Sequence, residues 1–256
     1  MKRMALLGVA SYGLASRCLA SLILATPGIA QRSEAKHSLA FQGPSRAKEG
    51  LMFLDILCYG KSPLLLNRMT EEQLESLRKA GGKRSKTAPR PESTRDEAEP
   101  KLYKSKKGEL YLPTENIFSR LVAAGQMVRL DGKRQVSTAK STILPAFLTL
   151  LDPYVPLLDP DNLKKTPAWE VDMRQGRNPN SGDAICIVRP RFDRWAFRLS
   201  CEMDENEISE NVIRELFDKA GSRIGLGDFR PSRKGPFGRW VINSWERTKE
   251  TLAAAE

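Results

Sequence analysis

Residues 221–240 hold five glycines (Gly221, Gly225, Gly227, Gly235 and Gly238) and two prolines, Pro231 and Pro236. No regular helix or strand survives that density, because glycine costs conformational entropy and proline lacks a backbone donor. The stretch is therefore a crossover, and the fold must place it between a helix that ends before it and a strand that begins at its end. Arg223, Arg230, Arg233, Lys234 and Arg239 stand there against one acid, Asp228. Phe229, Phe237 and Trp240 are interleaved with them. Guanidinium groups, stackable rings and a pliable backbone that lets a ligand come close suit a phosphate chain with unstacked bases. A solvated turn is the plainer alternative. The pattern G-x-x-x-x-G-K-[ST] is absent, which disfavours a phosphate-loop ATPase.

The rest of the chain shares this bias. A formal charge of +11 points to a polyanionic partner, nucleic acid before an anionic membrane surface. With 256 residues and 40% apolar content, the chain can bury a core. Cys18, Cys58, Cys186 and Cys201 show no C-x-x-C spacing, so no zinc site is expected, nor any other metal or cofactor. Cys58, Cys186 and Cys201 lie in apolar runs and read as reduced, small hydrophobes. His37 is the single histidine and lies outside the expected domain, which makes histidine-based catalysis hard to build.

Residues 1–50 read as a signal-like segment or an extension that does not fold with the domain. Lys2 and Arg3 precede an apolar stretch that ends in small residues, but Arg17 interrupts it. A cytoplasmic protein is expected, with export as the alternative and no membrane segment in the mature domain.

From residue 51 the pattern is α+β. Residues 51–59 form a buried strand. Thr70 and Gln73 fit a capping box for a short helix with Leu74 and Leu77 inward. Residues 81–100 read as a mobile loop. Residues 102–103 and 109–112 suggest a small hairpin. Thr114 caps a helix with Ile117, Leu121 and Ala124 on one stripe. Residues 129–183 read as an insertion, and its prolines Pro145, Pro153 and Pro156 leave only short or edge strands. Within it Arg129, Lys133 and Arg134 are candidate phosphate contacts, with Ser137 and Thr138 as hydrogen-bond donors. Residues 184–191 and 194–203 read as the clearest hairpin. Ser209 opens a helix that Gly221 ends, residues 240–245 form the last strand, and 247–256 a tail.

Without its insertions the order is βαββαβ, the ferredoxin-like (RRM-like) arrangement with an antiparallel sheet. The glycine-rich loop between last helix and last strand, carried by Ala220-Gly221, Ile224-Gly225-Leu226-Gly227 and Gly235-Pro236-Phe237-Gly238-Arg239, resembles the RAMP superfamily of CRISPR effector complexes. Long insertions in a ferredoxin-like core are similar to that superfamily's backbone-forming subunit. Arg189-Pro190-Arg191-Phe192-Asp193-Arg194-Trp195, followed by Gly227-Asp228-Phe229-Arg230-Pro231, also resembles a set of phage-associated proteins. The resemblance spans residues 51–246. It implies a non-catalytic binder of single-stranded nucleic acid, RNA before DNA, with self-association along the strand. Gly225, Gly227, Gly235 and Gly238 would shape the loop, the five loop cations would hold phosphates, and Phe229 or Phe237 would stack on a base. Two other functions are carried as alternatives. One is a phage structural or assembly protein. The other is a metal-dependent ribonuclease using loop carboxylates, with Asp131, Asp193 and Asp228 as candidates.

Overall fold

A computed structural model describes residues 50–79, 91–130, 132–178 and 181–248. The N-terminal segment, the 80–90 part of the expected loop, Asp131 and the end of the tail lie outside the described residues. In chain order the elements are β1 (Leu51–Gly60), β2 (Leu64–Leu65), α1 (Glu71–Lys79), α2 (Thr94–Ala98), β3 (Tyr111–Pro113), α3 (Thr114–Ala124), β4 (Arg129–Leu130) and β5 (Arg134–Gln135). There follow β6 (Leu148–Leu150), β7 (Tyr154–Leu158), β8 (Glu170–Arg177), β9 (Ala184–Phe192), β10 (Ala196–Asp204), α4 (Glu210–Lys219) and β11 (Trp240–Thr248).

The main sheet runs β11-β1-β10-β7-β3, with β6 also on β10, and its pairings are antiparallel. The path β1, α3, β6/β7, β10, α4, β11 is the expected ferredoxin-like core. Period-two alternation in β1 and β10 explains the layering. Met52, Leu54, Ile56 and Cys58 face inward with Leu199, Cys201 and Met203. They share one core cluster with Ile117 and Leu121 of α3 and Ile213, Leu216 and Phe217 of α4. Each large side chain buried this way contributes about 1.5–3 kcal/mol. Ile208 and Ile213 are both buried at the start of α4, as a hydrophobic staple requires.

Several expectations need correction. Residues 184–192 and 196–204 are consecutive strands but do not pair with each other. β9 joins β2 and β8 in a separate three-stranded sheet. Both edges of β10 are already occupied, by β1 on one side and β6 and β7 on the other. The span 129–183 is therefore not all insertion, since β6 and β7 supply the core's second strand. Residues 94–101 are helical, an α-turn followed by a 3-10 turn, and Ala98 is fully buried. α1 has its capping box, with the Thr70 amide donating to Gln73 Oε1 and the Gln73 amide to Thr70 Oγ1. It buries nothing, and Leu74 and Leu77 are 50% and 41% exposed. Pro113, not Thr114, is the N-cap of α3. The Thr114 hydroxyl donates instead to the Asp152 carbonyl.

Cys58 and Cys201 are fully buried, as expected, whereas Cys186 is exposed. Burial pushes both inner thiols up, that of Cys201 to about 12. Alkylation of the native protein with iodoacetamide is therefore expected to leave Cys58 and Cys201 unmodified until the protein unfolds, read by peptide mass mapping.

Candidate nucleic-acid interface

α4 does not stop at Gly221. It widens into a π-turn, Ala220–Ile224, and ends at Gly225, whose φ is +75°. Gly221 is needed for a different reason: a Cβ there would overlap the Trp240 carbonyl oxygen. The turn exposes Ser222 and Arg223 and keeps Lys219 and Arg223 on one face.

Beyond Gly225 the loop is tied down rather than pliable. The Leu226 amide donates to the Gly238 carbonyl at 2.8 Å, the Asp228 amide to Leu65 at 2.7 Å, and the Gly238 amide to Pro63 at 2.8 Å. Added Cβ atoms at Gly227, Gly235 and Gly238 would overlap the carbonyl oxygens of Leu65, Phe229 and Leu226. These glycines let backbone pack on backbone, inside the protein. The close approach expected for a ligand is made by the protein's own backbone.

Asp228 is the second tether. It accepts from Arg189 Nη1 at 2.7 Å, from Asn67 Nδ2 at 3.2 Å and from the Phe229 amide at 2.8 Å. Burial pushes its carboxyl up, but the Arg189 guanidinium and the other donors outweigh this and hold it below the usual range. Arg189 is itself buried and reaches Asp172 at 3.6 Å, so the bonds join the β8–β9 sheet to the loop.

The cations sit on this frame. Arg223, Arg233, Lys234 and Arg239 are exposed, and Arg230 is half-buried. Among the described residues none of the five is ion-paired with a carboxylate. Arg230 braces the loop, donating through Nη1 to the Gly227 carbonyl at 2.8 Å and through Nε to Ser232 Oγ at 3.0 Å. Burial, then Arg233, lowers its pKa, against a smaller opposing effect of Asp228. A groove of about 560 Å³ is lined by Lys219, Ser222, Arg223, Pro231 and Arg239. A second, of about 360 Å³, adjoins it through Ser222 and Arg239 and adds Lys61, Pro236, Trp240 and Val241. The Lys61 amide donates to the Arg239 carbonyl at 2.7 Å, which fixes Lys61 beside the loop. The result is a cationic rim over a partly apolar floor. Lys61 and Lys219 were missed in the sequence, because nothing local marks a turn lysine or a helix-end lysine as groove-lining.

The aromatic candidates separate. Phe237 is buried, and its ring is covered by the Arg174 guanidinium at 4.6 Å and flanked by Phe229. Phe229 is 38% exposed and held at φ +47°, which makes it the more accessible of the two rings. Arg129, Lys133 and Arg134 lie exposed on the β4–β5 ribbon. Ser137 does not face solvent: it is buried and hydrogen-bonded to Thr142 Oγ1 at 2.7 Å. Thr138 closes a turn with Ser141.

The sheet face away from the helices is unsuited to phosphate. Asp55 of β1 lies opposite Glu246 of β11, and like charges so placed repel. Burial raises the Asp55 carboxyl, Arg198 opposes this, and Glu246 and Asp152 add to it. A raised folded value means that the protonated form favours the fold. That contribution is complete below the unfolded carboxyl range and is lost as pH rises through the folded value. Asp55→Asn is expected to flatten the fall in stability as pH rises above the ordinary carboxylate range, followed by thermal melts.

The two described loop aspartates, Asp193 and Asp228, are each held by an arginine. Asp228 is bound as described, and Asp193 accepts from Arg191 Nε at 2.6 Å. Among the described residues no three His, Cys, Asp or Glu side chains converge on a metal-sized site.

No family model matches the chain, and no curated protein matches it. Among solved structures it is similar to a chain of the Type III-B Cmr-beta bound to cognate target RNA, at 11% identity and TM-score 0.44, over 77% of this chain. It spans 61% of the length of that chain. It is also similar to Cmr6 from Pyrococcus furiosus, at 12% identity and TM-score 0.38, over 75% of this chain and 99% of Cmr6.

Proposed function

We propose that the protein binds single-stranded nucleic acid, RNA before DNA, along the groove between the π-turn and the glycine-rich loop. The observation that carries this reading is three cations, Lys61, Arg223 and Arg239, that line the groove without carboxylate partners among the described residues. Phosphates would lie along the rim, and Phe229 offers a ring to a base. The carboxylates on the open sheet face favour approach from the loop side. No reaction is assigned to the site.

Anisotropy of a labelled single strand across a salt series tests it. Arg223→Gln combined with Arg239→Gln is expected to weaken binding at least tenfold and lower the log–log salt slope by about 1.4, near 0.7 per lost phosphate contact. An unchanged slope would sink the reading. Matched RNA and DNA strands decide the preference between them. The assembly alternative instead predicts self-association after nuclease treatment, read by size exclusion.

A further inference from the structure

Three tyrosines outside the loop meet at the far edge of the main sheet. Tyr111 on β3 and Tyr154 on β7 touch edge to face, with ring centroids 4.7 Å apart. Tyr103 lies 5.9 Å from Tyr111. Pairing of β3 with β7 sets Leu112 opposite Val155, and both are buried in the core. Alternation therefore turns Tyr111 and Tyr154 outward. Tyr154 is 64% exposed, the most exposed of the large apolar and aromatic side chains among the described residues. The Arg68 guanidinium lies 5.8 Å from the Tyr103 ring centre.

Contacts lead from this patch towards the loop. Asn116 Nδ2 donates to the Tyr103 hydroxyl at 3.4 Å. One turn further along α3, Arg120 Nε donates to the Asn116 carbonyl at 3.2 Å. Arg120 is half-buried with no carboxylate partner among the described residues. Burial, then Arg230 and Arg233, pushes its pKa down to about 10. α3 packs on the π-turn and the π-turn packs on the Pro231–Arg233 turn, so Arg120, Arg230 and Arg233 share one region, and none of them is ion-paired with a carboxylate among the described residues, an arrangement that an anion would relieve.

We propose that Tyr103, Tyr111 and Tyr154 form a stacking platform for unpaired bases of a single-stranded nucleic acid whose phosphates continue across α3 to Arg120, Arg230 and Arg233. One exposed ring, Tyr154, backed by the half-buried Tyr111 and Tyr103 and beside cations without carboxylate partners, fits a single strand, with its alternating aromatic and anionic parts, better than a protein surface. Every base has a π-face, so the platform has little sequence preference. This inference rests on the loop reading above and extends it to a second region.

The test compares a mixed-sequence RNA oligonucleotide with an abasic strand of the same length, both by anisotropy. Tyr154→Ala is expected to weaken the base-bearing strand by about tenfold, leave the abasic strand unchanged and leave the salt slope intact. Tyr154→Phe is expected to restore binding, since stacking needs the ring and not the hydroxyl. Arg233→Gln is expected to weaken both strands and lower the slope. If Tyr154→Ala has no effect while Arg233→Gln weakens binding, the platform fails and the loop reading stands. An equal loss on both strands from Tyr154→Ala also overturns the platform. If the unaltered protein binds neither strand, both proposals fall.

Discussion

Arg189→Ala is expected to destabilise the fold by about 3 kcal/mol, measured by urea unfolding. Arg189 is 4% exposed and joins two carboxylates, Asp172 of β8 and Asp228 of the loop, at 3.6 and 2.7 Å. Its removal leaves the Asp228 carboxylate without its main donor in a partly buried site. Asp172 retains Arg174 at 2.8 Å, which keeps the expected loss at the lower end for a broken buried pair. The second consequence concerns the loop. Without Arg189, Asp228 is held by Asn67 and the Phe229 amide alone, and the alignment of Phe229 and Arg230 loosens. Binding of a single strand should weaken with the salt slope nearly unchanged, because no phosphate contact has been deleted. A variant as stable as the parent would show that the β8–β9 sheet does not anchor the loop.

Gly238→Ala is the other large effect, again about 3 kcal/mol, read as a fall in melting temperature. Gly238 has φ +69°, a left-handed conformation that alanine adopts at a cost. Its amide and carbonyl bond Pro63 and Leu226, and an added Cβ would overlap the Leu226 carbonyl oxygen. Gly108 supplies the comparison: φ is +83°, but a Cβ there meets nothing within 4 Å. Gly108→Ala should therefore cost only the backbone term, about 1 kcal/mol. Equal effects at the two sites would mean that close packing against Leu226 contributes nothing.

The core was legible where periodicity was strong. The alternation Trp195, Phe197, Leu199, Cys201, Met203 identified a one-sided strand, and Ile117, Leu121 and Ala124 identified the inner stripe of α3; both are buried as read. Pairing was not legible. β9 and β10 adjoin in sequence, and the choice between a hairpin and two sheets depends on which edges of β10 are free, which is a property of the whole sheet. α1 was misread for a related reason. Leu74 and Leu77 have helical spacing, but spacing does not say whether anything lies opposite them. In the loop, glycine density identified an irregular crossover but not its mechanics, since close approach of a ligand and of Leu65, Phe229 or Leu226 leave the same residue signature.

The main-chain bonds of Leu226, Asp228 and Gly238 would set how fast and how steeply the proposed single strand is captured. A receptor whose amides are already spent on its own carbonyls has little left to order on contact. The encounter rate is then governed by long-range attraction between charges, falling as ionic strength rises. The heat-capacity change should track only the surface covered, with no added contribution from coupled folding.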